Sequence, residues 1–315
     1  MSVPGRSLPP VEGPGRRHGV LLVDKPAGLT SHDVVELLRR LPGVRRSGHA
    51  GTLDPLATGL LVVCINEATK ASRFLMAGEK EYLARVRLGI ETDTQDVTGT
   101  VTREADWAGA SPELIAREAA GLVGEIEQVP PMYSAVKQGG VRLHVLARAG
   151  KEVDRAPRKV SIRAIEIESV ALPELTLRVT CAKGTYIRTL AWELGRRLGC
   201  GATLAGLRRT RSGRFSIEQA QPLEALLEGK GEALGKHLIP LAEALAEEWT
   251  PSLVDADTAA RAAQGQPPDA PSGSRAGDRV MILGPAGGVV ALTEVVEERS
   301  GRMRLRTIRV LHDYE

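Results

Sequence analysis

One aspartate stands alone in the run Gly48-His49-Ala50-Gly51-Thr52-Leu53-Asp54-Pro55-Leu56-Ala57-Thr58-Gly59. Pro55 steers Asp54 out of the helical region into an extended conformation. Gly51 and Gly59 admit tight turns or the close approach of a ligand. The apolar run Leu60 to Ile65 follows and predicts a buried strand. A carboxylate on a stiff loop in front of a buried strand suits covalent or general-base chemistry. Spacing alone fits a second reading equally, an aspartate bonding its own turn.

Other chemistries find little support in the residues. The six histidines form no HExxH. Cys64, Cys181 and Cys200 are widely spaced with no CxxC, which argues against a disulfide framework or a zinc site. Gly231 to Lys236 reads GEALGK, one residue short of a P-loop. It lies in a charged, helical stretch rather than after a strand, so it is not a phosphate cradle.

The elements that must hold Asp54 can be read locally. Val20 to Val23 predicts a strand running into the turn Asp24-Lys25-Pro26-Ala27-Gly28. Thr30 or Ser31 caps a helix whose apolar face is Val34, Leu38 and Leu41, with Asp33 at the capping-box distance from Thr30 and Pro42-Gly43 as the stop. Ser111-Pro112-Glu113 starts another helix. Ser161 to Val170 and Leu175 to Cys181 alternate as neighbouring strands around a proline turn. Ile187 to Leu198 is helical and Gly199 ends it. Strands and helices mix without a regular βαβ rhythm, so the expected class is α+β.

Composition bounds the rest. The chain has 315 residues, which suggests about two domains. Its 42 basic and 39 acidic residues leave a net charge of +3, too mild to prove a nucleic-acid partner. Aromatics are 3% of the chain, so aliphatic residues must build the core and each of the four tyrosines is worth locating. No apolar run approaches the ~20 residues of a membrane span. The Pro- and Gly-rich segment 1–17 lacks a signal-peptide core and is expected to be a disordered leader of a cytoplasmic protein.

The last part differs in texture. A Pro-, Gly- and Ser-rich stretch, Gln264 to Gly277, precedes three strand-like runs: Arg279 to Leu283, Val289 to Val296 and Arg302 to Leu311. They predict a small β domain over 250–315. Arg302, Arg304 and Arg306 recur at period two. Such a face is either a solvated strand edge that resists aggregation or a phosphate-contacting surface.

Seven separated motifs then occur in one order. They are HGVLLVDKPAGLTSHDVV, GHAGTLDPLATGLLVV, EATK, KEYLARVRLG, PPMYSAVK, KGTYIRTLAWELG and LRRTRSGRF, spanning His18 to Phe215. In this set and order the chain resembles the TruB-type tRNA pseudouridine synthases. The 250–315 segment resembles, more loosely, the PUA domain of bacterial members. The implied fold is the pseudouridine synthase α+β fold, a mixed and mainly antiparallel central sheet flanked by helices, followed by a barrel-like PUA domain. The implied layout is a catalytic domain over 18–249, with an RNA-clamping insertion at about 134–158.

The resemblance assigns roles residue by residue. Asp54 matches the catalytic aspartate, whose attack on the ribose or the base it leaves open, and Arg188 its arginine partner. Tyr82 matches the tyrosine that stacks on the target uracil, and Tyr186 a second active-site tyrosine. His49 resembles the histidine that fills the gap left by the flipped nucleotide. Lys70 resembles a lysine near the RNA backbone or the active-site loop. Asp93 and Asp96 match an acidic loop that contacts RNA. In the insertion, Arg142, Arg148, Lys151, Arg155 and Arg158 give a local basic excess, and Arg208, Arg209, Arg211 and Arg214 form a second cluster. His144 stands where many family members carry a tyrosine. Of these basic residues, Arg148 and Arg208 are the expected RNA contacts.

The implied activity is conversion of the T-loop uridine of tRNA, position 55, by base flipping, in a monomer that needs no metal, cofactor or protein partner. A guide-RNA-dependent synthase and a non-catalytic tRNA-folding factor remain the alternatives.

Overall fold

A computed structural model of the chain describes residues 18–134, 136–151, 153–229 and 232–311. The expected leader 1–17 and Tyr314 lie outside the described residues.

The chain opens with β1 (Gly19–Lys25), α1 (Ser31–Arg39), β2 (Ser47–His49) and β3 (Thr58–Ile65). A 3-10 turn (Asn66–Ala71) leads to α2 (Ser72–Leu75) and β4 (Lys80–Leu88). The hairpin β5 (Ile90–Thr92) and β6 (Val101–Glu104), α3 (Pro112–Ala120) and β7 (Gly124–Gln128) come next. The insertion carries β8 (Lys137–Gln138), β9 (Val141–Arg142) and α4 (Leu143–Arg148). Then follow β10 (Arg158–Ala171), β11 (Glu174–Cys181), α5 (Ile187–Arg197), β12 (Ala202–Ser212), β13 (Phe215–Ser216) and β14 (Gln221–Pro222). The short helices α6 (Leu223–Glu228), α7 (Glu232–His237) and α8 (Leu241–Leu245) lead to β15 (Thr250–Leu253), α9 (Ala256–Ala263), β16 (Arg279–Leu283), β17 (Val289–Glu297) and β18 (Met303–Val310).

The main sheet runs β14-β1-β3-β12-β4-β11-β10-β7, with β13 beside β12 and β2 beside β3. Two contacts in it are parallel, β1 with β14 and β12 with β3. The others are antiparallel, the mixed, mainly antiparallel α+β sheet that was expected. Both sides of β3 are buried: Leu61, Val63 and Ile65 pack with α1 and α5 residues, whereas Leu60, Val62 and Cys64 face Trp249 and the C-terminal sheet. A strand covered on both faces reads as a continuous apolar run, which is why Leu60 to Ile65 carries no alternation.

Local rules account for the helix starts. Thr30 caps α1 in a full capping box with Asp33, and Ser111 caps α3 with Pro112 at its first position. Both satisfy otherwise orphaned amides. GEALGK falls largely within helix α7, without a preceding strand to form a cradle.

The C-terminal segment forms an open sheet, β15-β16-β17-β18, with β15 parallel to β16. It is not the closed barrel that barrel-like implied, among the described residues. The strand Thr250–Leu253 and helix α9, absent from the sequence reading, complete it. Arg302, Arg304 and Arg306 are paired with Asp269, Glu298 and Glu294, and β18 lies at the sheet edge. The three guanidiniums therefore dress a solvated edge.

Candidate active site

The loop after β2 delivers Asp54, and three independent contacts fix it. Ser31, buried at the start of α1, accepts from the Leu53 amide at 2.8 Å and donates to the Leu53 carbonyl at 3.1 Å. The amide of Gly28 donates to the Pro55 carbonyl at 2.9 Å, so the turn after β1 holds the other flank. Beneath the loop, Arg209 is 1% exposed; its Nε donates to the Leu60 carbonyl at 2.7 Å, and Nη1 and Nη2 reach the carbonyls of Thr52 and Gly51 at 3.3 Å. A buried cation thus stitches the aspartate loop to the central strand β12. Gly59 makes this approach possible: its φ is +96°, and an added Cβ would fall 2.4 Å from the Arg209 carbonyl oxygen.

Helix α5 brings in the partner. Arg188, in its first turn and 4% exposed, places Nε 2.8 Å from Oδ2 of Asp54. The contact is a close ion pair whose N–H is not aligned for a hydrogen bond. Nη1 donates to the Thr94 carbonyl and Nη2 to the Tyr133 carbonyl, each at 2.8 Å, and Asp96 lies 3.6 Å from Nη1. A planar fork held at several points cannot swing away from the carboxylate. Burial pushes the Asp54 carboxyl above its usual range; Arg188 pulls it back and Asp96 adds to the rise. The site therefore holds a carboxylate under tension rather than a comfortably solvated one.

Asp54, Tyr82, Tyr186 and Arg188 line one cleft of about 390 Å³, with Leu207, Lys80 and Arg209 in its wall and Lys183 exposed among its lining residues. Pockets of this size hold small organic groups. Tyr82 on β4 faces Arg209 on β12 across the strands, and burial raises its phenol, with Arg209 opposing the rise. Tyr82 is thus a neutral ring suited to stacking. Tyr186 precedes α5 at its N-cap.

The remaining expected residues divide. Asp96 is buried behind Arg188, whereas Asp93 is exposed and accepts from the Thr100 amide at 2.8 Å, holding the loop's own turn. His49 sits at the end of β2, outside the cleft lining, with its imidazole pKa lowered by burial and then by Arg209 and His32. Lys70 is paired with Glu67 at 2.6 Å. Arg208 points away from the cleft and forms a two-pronged pair with Asp24 at 3.1 and 2.8 Å. The side chains of Arg148 and His144 lie outside the described residues.

Four contributors were not singled out by sequence reasoning: Ser31 as a loop clamp, Gln128, and the buried lysines Lys25 and Lys80. Gln128 donates to the Tyr186 carbonyl at 3.3 Å and accepts from the Tyr186 amide at 3.0 Å. Lys25 donates to the carbonyls of Pro26 and Leu29, Lys80 to those of Met76 and Gly78, and burial lowers each ammonium to about 8. Lys25 and Lys80 each follow or precede a turn, a pattern that resembles any solvated loop lysine; nothing in the sequence marks them as buried.

Among the described residues no cluster could hold a metal ion, and no helix is long and apolar enough to cross a membrane. The model of the N-terminal domain of the TruB family of pseudouridylate synthases matches residues 39–187, and that of the tRNA pseudouridylate synthase B C-terminal domain matches 188–246. A tRNA pseudouridine synthase B of Syntrophotalea carbinolica is 43% identical over 94% of this chain and 98% of its own. One from Geotalea uraniireducens is 52% identical over 65% of this chain and 66% of its own. A chain of the crystal structure of a Cbf5-Nop10-Gar1 complex superposes with a TM-score of 0.72 at 27% identity, covering 98% of this chain and 91% of that one.

Proposed function

The chain belongs to the TruB family of pseudouridylate synthases, and from that premise we propose that it converts the T-loop uridine of tRNA, position 55, to pseudouridine. The observation that carries this reading is Asp54 in the cleft with Arg188 Nε at 2.8 Å. The chemistry is an isomerisation. The N1–C1′ bond breaks, uracil turns in the pocket, C5 bonds to C1′, and the proton lost from C5 ends on N1. No oxidant, reductant or second substrate enters the balance, so the site needs no cofactor.

The residues then take these parts. Asp54 attacks or stabilises the centre that gains positive character as uracil departs, and Arg188 holds the carboxylate ionised and aimed. An extruded uracil stacks on Tyr82, a contact worth about 1–3 kcal/mol, with Tyr186 also lining the cleft. His49, neutral beside the loop, fills the space the base vacates. Asp96 acts from behind Arg188. The geometry gives Asp93, Lys70 and Arg208 no direct part in the cleft.

The insertion at 134–158 clamps the T arm, Arg148 included, and the segment 250–315 is a separate RNA-facing unit docked on the catalytic domain 18–249. The enzyme works as a cytoplasmic monomer. The fold is shared with a chain of a Cbf5-Nop10-Gar1 complex, a multi-protein assembly, so the second reading is a guide-dependent mode that needs partners. Incubating the purified chain with an unmodified tRNA transcript, and mapping pseudouridine by mass spectrometry, tests both points. Product at position 55 without guide or partner supports the proposal; product only with a guide RNA overturns it in favour of the second mode.

A further inference from the structure

We propose that Gln128 is a positioning residue that ties the base of the insertion to the catalytic pair, an inference that rests on the function proposed above. Gln128 is the last residue of β7, and it pairs in register with Arg158, the first residue of β10. The chain leaves the sheet for the insertion at one member of this pair and returns at the other. The Gln128 side chain is 4% exposed and lies outside the cleft lining, so it does not touch substrate.

What it touches is the main chain of Tyr186. Its amide group accepts from the Tyr186 N–H at 3.0 Å and donates to the Tyr186 carbonyl at 3.3 Å, a two-way match resembling one rung of a β ladder. Tyr186 is the N-cap of α5 and makes no side-chain capping bond. Gln128 pairs the Tyr186 amide, which has no partner inside the helix, and so holds the entry to α5 from outside. Arg188 follows two residues on.

A second link joins the same segment to the same helix. Arg188 donates through Nη2 to the Tyr133 carbonyl at 2.8 Å. The stretch from Gln128 to Tyr133 therefore holds both the main chain of Tyr186 and the fork that aims Asp54. The base of the insertion and the Asp54–Arg188 geometry thus share one tether. Glutamine suits this post because it offers one acceptor and one donor side by side. An ionised glutamate can only accept, and leucine can do neither.

The test compares Gln128→Leu and Gln128→Glu with wild type on a T-arm stem-loop RNA. It measures single-turnover conversion with enzyme in excess, and RNA dissociation constants separately. Gln128→Leu is expected to slow conversion about 10- to 100-fold, the scale of a small misplacement of reacting groups, with RNA affinity held within about threefold. Gln128→Glu should match it once its carboxyl is ionised; burial raises that carboxyl, so the comparison runs from about pH 5 to about pH 9. Its rate relative to wild type should climb as pH falls and the carboxyl gains the proton that restores a donor. A merely structural role would lower RNA affinity and melting temperature together with the rate, and would not leave conversion alone impaired in protein whose melting curve shows it folded. Wild-type rates in Gln128→Leu, a loss confined to RNA binding, or a flat Gln128→Glu ratio across pH would each overturn the proposal. Gln128→Glu preserves side-chain volume, so its ratio decides the matter if Gln128→Leu does not fold. A wild-type enzyme that makes no pseudouridine in this RNA would instead overturn the function on which the proposal rests.

Discussion

Nε of Arg188 stands 2.8 Å from Oδ2 of Asp54, while the two other nitrogens of the same guanidinium donate to the main-chain carbonyls of Thr94 and Tyr133. The aspartate comes from a loop between β2 and β3 and the arginine from α5, separated by more than a hundred residues of chain. Their meeting is a property of the sheet, in which β3 and β12 run side by side and α5 leads into β12.

Asp54→Asn keeps the size of the side chain and removes the carboxylate to which the proposed function gives the central part. Conversion of uridine should fall by at least about 1000-fold, because a group acting directly on the reacting centre has no substitute. Binding of the stem-loop RNA should remain close to wild type, measured by filter binding or fluorescence anisotropy. Near wild-type conversion by this variant would remove Asp54 from the mechanism.

The pH dependence follows from the upward shift of Asp54. Conversion requires the carboxylate, so the acid limb of the rate profile should sit above the ordinary aspartate value of about 3.9. Removing the cation in Arg188→Gln should raise the Asp54 titration further, read by carboxyl NMR. The stability effect has the opposite sign from a paired surface acid. A folded-state pKa raised above the unfolded one means that ionisation costs stability at higher pH. The melting temperature of Asp54→Asn relative to wild type should therefore rise with pH across this range and fall back as pH drops below the unfolded value.

Lys80 gives the converse case. Burial lowers its ammonium to about 8 from 10.5. Between those two values the unfolded chain holds a proton that the folded one has lost, so this residue's contribution to stability rises with pH across that window. The stability of wild type minus that of Lys80→Met, from urea melts, should grow between pH 7 and pH 10. A difference independent of pH would mean that the ammonium is not desolvated.

Arg208 and Arg209 are neighbours with opposite expectations. Arg209→Leu leaves the carbonyls of Gly51, Thr52 and Leu60 without this donor and should cost about 3–5 kcal/mol in a urea melt, the scale for leaving several buried acceptors unpaired. Arg208→Ala breaks a partly exposed pair with Asp24 and should cost no more than about 1 kcal/mol, with conversion near wild type. Equal effects of the two would contradict the facing assigned to them here.

Much was legible in the sequence because its causes are local. The box formed by Thr30 and Asp33, the Ser111-Pro112 start, the alternation in Leu175 to Cys181 and the apolar run of β3 are read from spacing alone. Asp54 was marked by Pro55 and its glycines, and the family resemblance supplied Arg188 and the tyrosines. The tertiary structure decided what each polar group faces. Arg208 and Arg209 belong to an arginine-rich cluster in sequence; folded, they lie on the central strand β12, whose pleat sends Arg208 to Asp24 and Arg209 under the Asp54 loop. The same holds for Asp93 and Asp96, for Lys70 against Glu67, and for Gln128 at Tyr186. A residue's type and near neighbours set its intrinsic chemistry. Its partner is set by strands brought together across long stretches of chain, and that pairing decides whether a charge is solvated, spent or at work.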